Sequence, residues 1–186
     1  MTNHHDLFEG CKKRDAKSQR ILYDLFKARL MGLSRRYTRD RDEAHDILQE
    51  SFVKIFANIA QLESSDKLES WMKTIVVHIA INYYHKTKSK NNIFTTVDAI
   101  TYQDESQPVY FNEIDDEHLL SLVNSLPDGC RIVFNMVAIE GYSHVEVAAI
   151  LKIAEGTSRS QFHHAKQLLK GKLKCNNLMH YHEKFA

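Results

Sequence analysis

The 186-residue chain contains only two prolines, six glycines, one tryptophan and three cysteines. With so few breakers and 43% hydrophobic residues, fibrous order and global disorder are both excluded, and a globular chain with one ordinary core or two small ones remains. Cys11, Cys130 and Cys175 are odd in number and far apart. Neither a disulfide framework nor a CxxC metal knuckle can be drawn from them, so they read as reduced, structural thiols. Apolar runs such as Ile75 to Ile81 are too short to span a bilayer, and Met1 opens a polar segment without the apolar core of a signal peptide. The expected compartment is the cytoplasm, with no direct membrane insertion. No Gly-rich phosphate loop, nucleophile elbow or paired-carboxylate arrangement is present, which argues against an enzyme, a small-molecule substrate and a cofactor. Eleven histidines include His4-His5, His163-His164 and the His180-Tyr181-His182 tail. None makes an HExxH spacing and no Cys cluster joins them, so no metal site is expected.

Charge is scarce in sum and uneven in distribution. The formal net charge is +1, too small for a chain coated in basic residues for indiscriminate nucleic-acid binding. Between Asn91 and Glu117, however, there are seven acids and no Lys or Arg. From Lys152 to Lys174 the balance reverses, with Lys152, Arg159, Lys166, Lys170, Lys172 and Lys174 against Glu155 alone. The first segment repels phosphate and the second attracts it.

Periodicity predicts helices throughout. Leu22, Leu25, Phe26, Leu30, Leu33 and Tyr37 recur at steps of three and four, the period of an amphipathic helix over 21–37. Thr38 to Asp42 offers N-cap candidates for a second helix that turns Ala44, Ile47, Leu48, Phe52, Ile55, Phe56 and Ile59 to one face. A polar loop over Gln61 to Glu69 follows. From about Ser70 a third helix carries a wide apolar stripe of Trp71, Met72, Ile75, Val76, Ile79 and Tyr83. Residues 91–117 have no sustained period and include Pro108, so they read as a linker. Beyond it, Leu119 to Leu126 leads to Pro127, and Ile132 to Ile139 is apolar enough to predict a helix with no solvent-facing side.

The C-terminal third carries the most informative pattern. Gly141 suits the left-handed cap after that helix, and Ser143 followed by Glu146 is a capping box for a short helix over Val145 to Leu151. A tight break at Lys152-Ile153-Ala154 leads to a longer helix from near Glu155. Lys152 occupies the position where glycine is easiest to accommodate, and Ala154 cannot cap as serine would. Ser158, Phe162, Ala165 and Leu169 point inward, while Arg159, Ser160, His163, Lys166 and Gln167 occupy the opposite face. This is the helix-turn-helix arrangement, whose last helix enters the major groove. Arg159 and Gln161 are suited to base edges, Lys166 and Lys170 to phosphates.

These residues resemble a family, the bacterial RNA polymerase sigma factors of the extracytoplasmic-function (ECF) group, which keep conserved regions 2 and 4. Leu22-Tyr23-Asp24-Leu25-Phe26 looks like the family's opening helix, and Asp42 through Phe52 is similar to its region 2.2 signature. Leu126-Pro127, Arg131 to Phe134, Glu140-Gly141-Tyr142-Ser143, Glu146-Val147-Ala148 and Glu155-Gly156-Thr157 with Ser160 look like region 4. The resemblance implies an all-α fold: a helical bundle over 10–90 (region 2), an acidic linker over 91–117, and a small helical domain with the helix-turn-helix over 118–175 (region 4). It implies a dissociable specificity subunit whose partners are core RNA polymerase, gripped at the clamp helices of its largest subunit, and promoter DNA. An anti-sigma factor is the inhibitor that family habit suggests.

By the same resemblance, Asp46, Gln49 and Glu50 fall where the family docks on polymerase; steps of three and four place them on one helical face. The loop Gln61 to Leu68, with Lys67, corresponds to the pocket for a flipped minus 10 base. His78, Asn82, Tyr83, Lys86 and Lys88 fall along the minus 10 surface, where His78 departs from the family's usual Asn. Trp71 matches a family tryptophan, but its apolar spacing points to core packing. Minus 35 contacts are expected from Glu155, Thr157, Arg159, Ser160, Gln161, His163 and Lys166. A different reading is a conventional helix-turn-helix regulator whose N-terminal bundle dimerises or senses a ligand; it predicts a stable dimer with direct affinity for duplex DNA.

Overall fold

The computed structural model describes residues 4–91 and 116–184, with side chains over 6–87, at Glu117 and over 120–173. The expected linker, apart from its ends, lies outside the described residues, as do the side chains of Lys88, Lys174, Cys175 and the histidines at 4, 5, 180 and 182. Among the described residues every regular element is helical, and no helix is long and apolar enough to cross a membrane. The chain divides into two compact units, Met1–Asn92 and Ile93–Ala186.

In the first unit, α1 (His4–Lys12), α2 (Ala16–Tyr37), α3 (Arg41–Asn58) and α4 (Leu68–Asn91) are joined by short corners, with 3-10 turns at Ile59–Gln61 and Ser65–Lys67 between the last two. α2, α3 and α4 pack on one another because each turns an apolar stripe inward: Leu22, Phe26, Leu30 and Leu33; Ile47, Leu48, Phe52 and Ile55; Met72, Val76 and Ile79. Ser34 and Ser51 are buried among them, their hydroxyls donating to the carbonyls of Leu30 (2.9 Å) and Ile47 (2.6 Å). Their small size lets the helices approach, and the back-bond satisfies the hydroxyl. Asp15 caps α2 by accepting from Ser18 N (2.8 Å), and Asp40 caps α3 by accepting from Asp42 N (3.0 Å). Each cap stabilises its helix by about 1 kcal/mol.

Two expectations change here. The polar loop contains the two 3-10 turns, and α4 begins at Leu68 rather than Ser70. Trp71 is only half-buried, because Leu68, Met72 and Val76, at steps of four, take the inward line and leave it on the flank.

The second unit contains α5 (Asp116–Asn124), α6 (Asp128–Phe134) with a wide π turn over Asn135–Ile139, α7 (His144–Leu151) and α8 (Glu155–Lys184). Leu122, Leu126, Cys130, Ala165, Leu169 and Leu173 form one core, with Phe134 and Leu168 against it. The apolar run 132–139 is not wholly inward as expected. Ile132, Val133 and Met136 are buried, but Ala138 and Ile139 are exposed. At the π turn Glu140 N donates to Asn135 O (3.0 Å) and Tyr142 N to Met136 O (2.9 Å), and the extra residue rotates the last turn toward solvent before Gly141 (φ +80) ends it.

Candidate functional site

Three surfaces carry the residues singled out by the sequence. The first is the outer face of α3. Asp46 and Gln49 are exposed and Glu50 half-buried, so all three open to one side of the helix. Gln49 Nε2 lies 3.0 Å from His45 Nδ1, and Glu50 pairs with Lys54 at 3.1 Å. Val53, one turn further along, is 70% exposed, an apolar side chain with no core to fill. It was not among the expected docking residues; its i+4 step from Gln49 and the polar company around it were the signal.

Tyr83 of α4 sits at the edge of this face. Burial raises its phenol pKa first, and the nearby carboxylates of Glu50, Asp46 and Glu43 raise it further by disfavouring the phenolate. Lys86 Nζ stands 5.4 Å from the centre of the Tyr83 ring. The phenol therefore belongs as much to the acidic face of α3 as to the minus 10 line on which it was expected.

The second surface runs from the 3-10 turns along α4. Lys67, Ser70, Thr74, His78, Asn82 and Lys86 are all exposed, and after Lys67 they follow at steps of four. Such steps wind slowly around a helix, so the residues form one oblique polar line. Ser70 Oγ donates to Lys67 O (3.0 Å) and Thr74 Oγ1 to Ser70 O (3.0 Å), tying the head of the line to the turn before it. Ser70 and Thr74 are not among the residues expected on the minus 10 surface; their four-residue steps toward His78 are the signal that places them on this line. Lys88 continues the helix, with its side chain outside the described residues.

The third surface is the helix-turn-helix. Ser143 and Glu146 form a complete capping box: Ser143 Oγ accepts from Glu146 N (3.3 Å) while Glu146 Oε2 accepts from Ser143 N (2.8 Å). These hydrogen bonds to Ser143 lower the Glu146 pKa. At the other end of α7 Lys152 is left-handed (φ 56, ψ 46), and Ile153 N donates to Ala148 O (3.1 Å). α8 then starts on backbone alone, the Ala154 carbonyl accepting from Thr157 N and Ser158 N. A partly buried cluster, with Ser158 fully inside, fixes α8 against its neighbours. His144 Nδ1 and Ser158 Oγ are 2.9 Å apart, the Phe162 ring stacks on Phe134 at 6.1 Å, and His144 meets it edge-on at 5.5 Å.

That packing leaves Gly156, Thr157, Arg159, Ser160 and Lys166 exposed and Glu155 partly so. Arg159 is paired within its own helix: Glu155 Oε1 accepts from Arg159 Nε at 3.0 Å and from Nη2. Ser160 Oγ donates to Thr157 O (3.0 Å), and Lys166 Nζ stands 5.2 Å from the Phe162 ring centre. His163 is half-buried beside Gln167 (3.5 Å). Gln161 departs from expectation. Its amide lies over Gly129 of α6, close enough that a Cβ there would meet Nε2 at 2.8 Å, so it faces the core side of α8 and not base edges. What remains is a short exposed helical end with one planar cation, hydroxyls and trailing lysines, shaped to enter a groove and contact both bases and phosphates.

Comparison with known proteins follows the same division. The sigma-70 region 2 model matches residues 22–90 and the sigma-70 region 4 model residues 116–169. The ECF RNA polymerase sigma-E factor of Haemophilus influenzae is 26% identical over 179 residues, covering 90% of this chain and 93% of that protein. The sigma-E factor of Escherichia coli K12 is 25% identical over 178 residues, covering 90% and 92%. Among solved structures, the sigma factor RpoE of Bartonella quintana, crystallised with the anti-sigma factor NepR, shares the fold with a TM-score of 0.53 at 21% identity, covering 86% of this chain and 98% of that one. With both regions matched in order and relatives aligned along nearly their whole length, the chain belongs to the sigma-70 family of RNA polymerase sigma factors, in its extracytoplasmic-function group.

Proposed function

We infer that this sigma factor works by dividing promoter recognition between its two units, region 2 over about 10–90 and region 4 over about 118–175. The outer face of α3, with Asp46, Gln49 and Glu50, docks on the clamp helices of the polymerase's largest subunit. Carboxylates and an amide on one open helical face suit Arg and Lys across an interface, giving orientation and a fast, salt-sensitive approach. The polar line Lys67, His78, Asn82 and Lys86, with Tyr83 and Lys88, holds the separated minus 10 strand. The loop 61–68 receives a flipped base, whose unstacking is offset by stacking and edge hydrogen bonds. The exposed start of α8 reads the minus 35 element through Arg159, with Glu155, Thr157 and Ser160 around it and Lys166 and His163 nearer the backbone.

The chain does no covalent chemistry; its product is a positioned polymerase. It acts in the cytoplasm, where polymerase and DNA are. The RpoE relative is bound to an anti-sigma factor, and an inhibitor of that kind is the regulator we propose here.

The observation that supports this reading best is the joint one: in the first unit Asp46, Gln49, His78, Asn82 and Lys86, and in the second Thr157, Arg159, Ser160 and Lys166, are exposed while their helical neighbours fill the core. The test is capture of bacterial core RNA polymerase by the full chain and by a variant with Asp46, Gln49 and Glu50 all changed to Ala. Capture by the first and loss in the second is expected. Failure of both, with dimerisation and binding to duplex DNA alone, would move the assignment to a conventional regulator.

A further inference from the structure

The region 2 match begins at Leu22, leaving α1 ahead of it, yet α1 is firmly part of the first unit. Leu7 (5% exposed), Phe8 (2%) and Cys11 (0%) are buried, and α1 packs against α2 and against both 3-10 turns, Ile59–Gln61 and Ser65–Lys67. We propose that α1 is a brace that sets the shape of the loop 61–68, and that Phe8, Gly10 and Cys11 are therefore positioning residues for base selection in the minus 10 element. The proposal rests on the reading that this loop receives the flipped base.

The loop has little to hold it by itself. Its backbone bonds include Leu62 N to Ile59 O at 3.2 Å, Lys67 N to Ser64 O at 3.4 Å and Leu68 N to Ser65 O, and its side-chain bonds, among them Ser64 Oγ with Asp66 N (3.2 Å), Gln61 with Asn58 (3.3 Å) and Ser70 Oγ to Lys67 O (3.0 Å), are exposed and competed for by water. Ile59 and Leu68 are buried at its ends, but between them only half-buried Leu62 offers an apolar anchor. A pocket that discriminates one base must be held to a fraction of an ångström by something stiffer than this.

α1 is stiff where it matters. Its last turn closes through Arg14 (φ 61), with Arg14 N donating to Cys11 O (3.0 Å) and Asp15 N to Gly10 O (3.0 Å), and Asp15 at once caps α2 through Ser18 N (2.8 Å). The two helices thus share a corner with no slack. They also touch directly: a Cβ on Gly10 would lie 2.1 Å from Ser18 Oγ and 2.8 Å from Ser18 Cβ, so nothing larger than glycine fits without moving α1. The second distance is to an atom that side-chain rotation cannot remove. A shift of α1 reaches the loop because α1 packs on both of its turns.

The experiment uses the full chain reconstituted with core bacterial RNA polymerase and a pool of fork-junction DNAs randomised through the minus 10 element, sequencing the bound fraction. In Gly10→Ala, preference at the flipped position is expected to fall about tenfold, with core polymerase affinity within about twofold of the parent. Amide exchange at Leu62 and Lys67 should quicken. Adding Ser18→Gly, which removes both clashing atoms, should restore preference and protection; Phe8→Ala should mimic Gly10→Ala. A Lys67→Ala, Ser64→Ala pair tests the loop directly. If that pair flattens the preference and Gly10→Ala and Phe8→Ala do not, the brace is refuted and the pocket reading stands. If neither does, the pocket reading fails and takes the brace with it. Loss of core affinity in Gly10→Ala, or no restoration by Ser18→Gly, would mean general unfolding of the unit and would also overturn the proposal.

Discussion

Val53 offers a test in which two measured quantities move in opposite directions. It is 70% exposed on the face of α3 that presents Asp46, Gln49 and Glu50. Truncation to Ala removes two methyl groups' worth of apolar surface, about 1.6 kcal/mol when fully transferred from water. Since seven-tenths of the residue is still in contact with water in the free chain, about 1 kcal/mol is left to be gained at an interface that covers it. Val53→Ala should therefore weaken binding to core polymerase about fivefold. The same substitution should leave the free chain slightly more stable, by roughly 0.5 kcal/mol, because Ala is the better helix former at an exposed position.

Competition against labelled parent for core polymerase gives the first quantity, and urea unfolding of the free chain the second. Salt separates Val53 from its charged neighbours. The loss from Glu50→Gln should shrink as ionic strength rises, since screening weakens that contact, whereas the loss from Val53→Ala should not. Unchanged affinity would show that the docked face stops short of Val53. A fall in the unfolding midpoint would show that Val53 supports the fold, and would refute the argument from exposure.

Lys152→Gly should stabilise the second unit by about 0.5–1 kcal/mol, because the left-handed φ of 56 strains a residue with a Cβ; slower amide exchange along α8 would register it. Arg159→Ala should lose roughly 1–3 kcal/mol of discrimination at one minus 35 base, measured as the ratio of affinities for matched and mismatched duplexes; an equal loss on every sequence would make Arg159 a phosphate contact. Glu155→Gln, which loosens the ion pair holding Arg159, should raise affinity for mismatched duplex at low salt by at most about fivefold, the pair being exposed. The Glu146 carboxyl is held below its usual 4.5 by hydrogen bonds from Ser143, so the contribution of the capping box is full above pH 4.5 and is lost as pH falls through the lower, folded-state value. Following the Ser143 amide by NMR should show that titration, and Glu146→Gln should abolish it.

How far the sequence disclosed this molecule depended on what each feature rests on. α2, α3 and the helix-turn-helix were legible because their apolar residues repeat at the helical period and because Asp40, Ser143 and Gly141 are local stop and start signals. Even the strained turn at Lys152 was legible, since three residues between two helices leave few ways round. α1 was not: in nine residues it has three buried apolar side chains and a glycine, and its order comes from packing that no local pattern reports. The 3-10 turns were hidden for a related reason, as their short repeats place no stripe on a face. Trp71 and Ile139 failed at a finer level. A stripe as wide as that of α4 does not say which of two adjacent residues takes the core, and one extra residue in the π turn was enough to turn Ile139 outward. Gln161 failed because its place depends on the opening at Gly129, 32 residues away along the chain.

The ion pair between Glu155 and Arg159 bears on how a chain with a net charge of +1 can be selective for DNA. In the first turns of α8 the one cation is matched by one anion, so that end of the helix gains little from phosphate as such; the lysines that attract phosphate lie further along. A guanidinium already held by a carboxylate engages a base only where the new hydrogen bonds exceed the old, which penalises wrong sequences more than right ones. The expected cost is weaker affinity for any single duplex site. In the proposed docking through α3 a sigma factor would tolerate that cost, because docking would bring this chain's DNA contacts and the polymerase's own onto one assembly, where each contact raises the effective concentration of the others. On that proposal, low intrinsic affinity at the minus 35 helix and the open, charged face of α3 would be two parts of one arrangement: selectivity would reside in the small contact, and occupancy would be supplied by the large one.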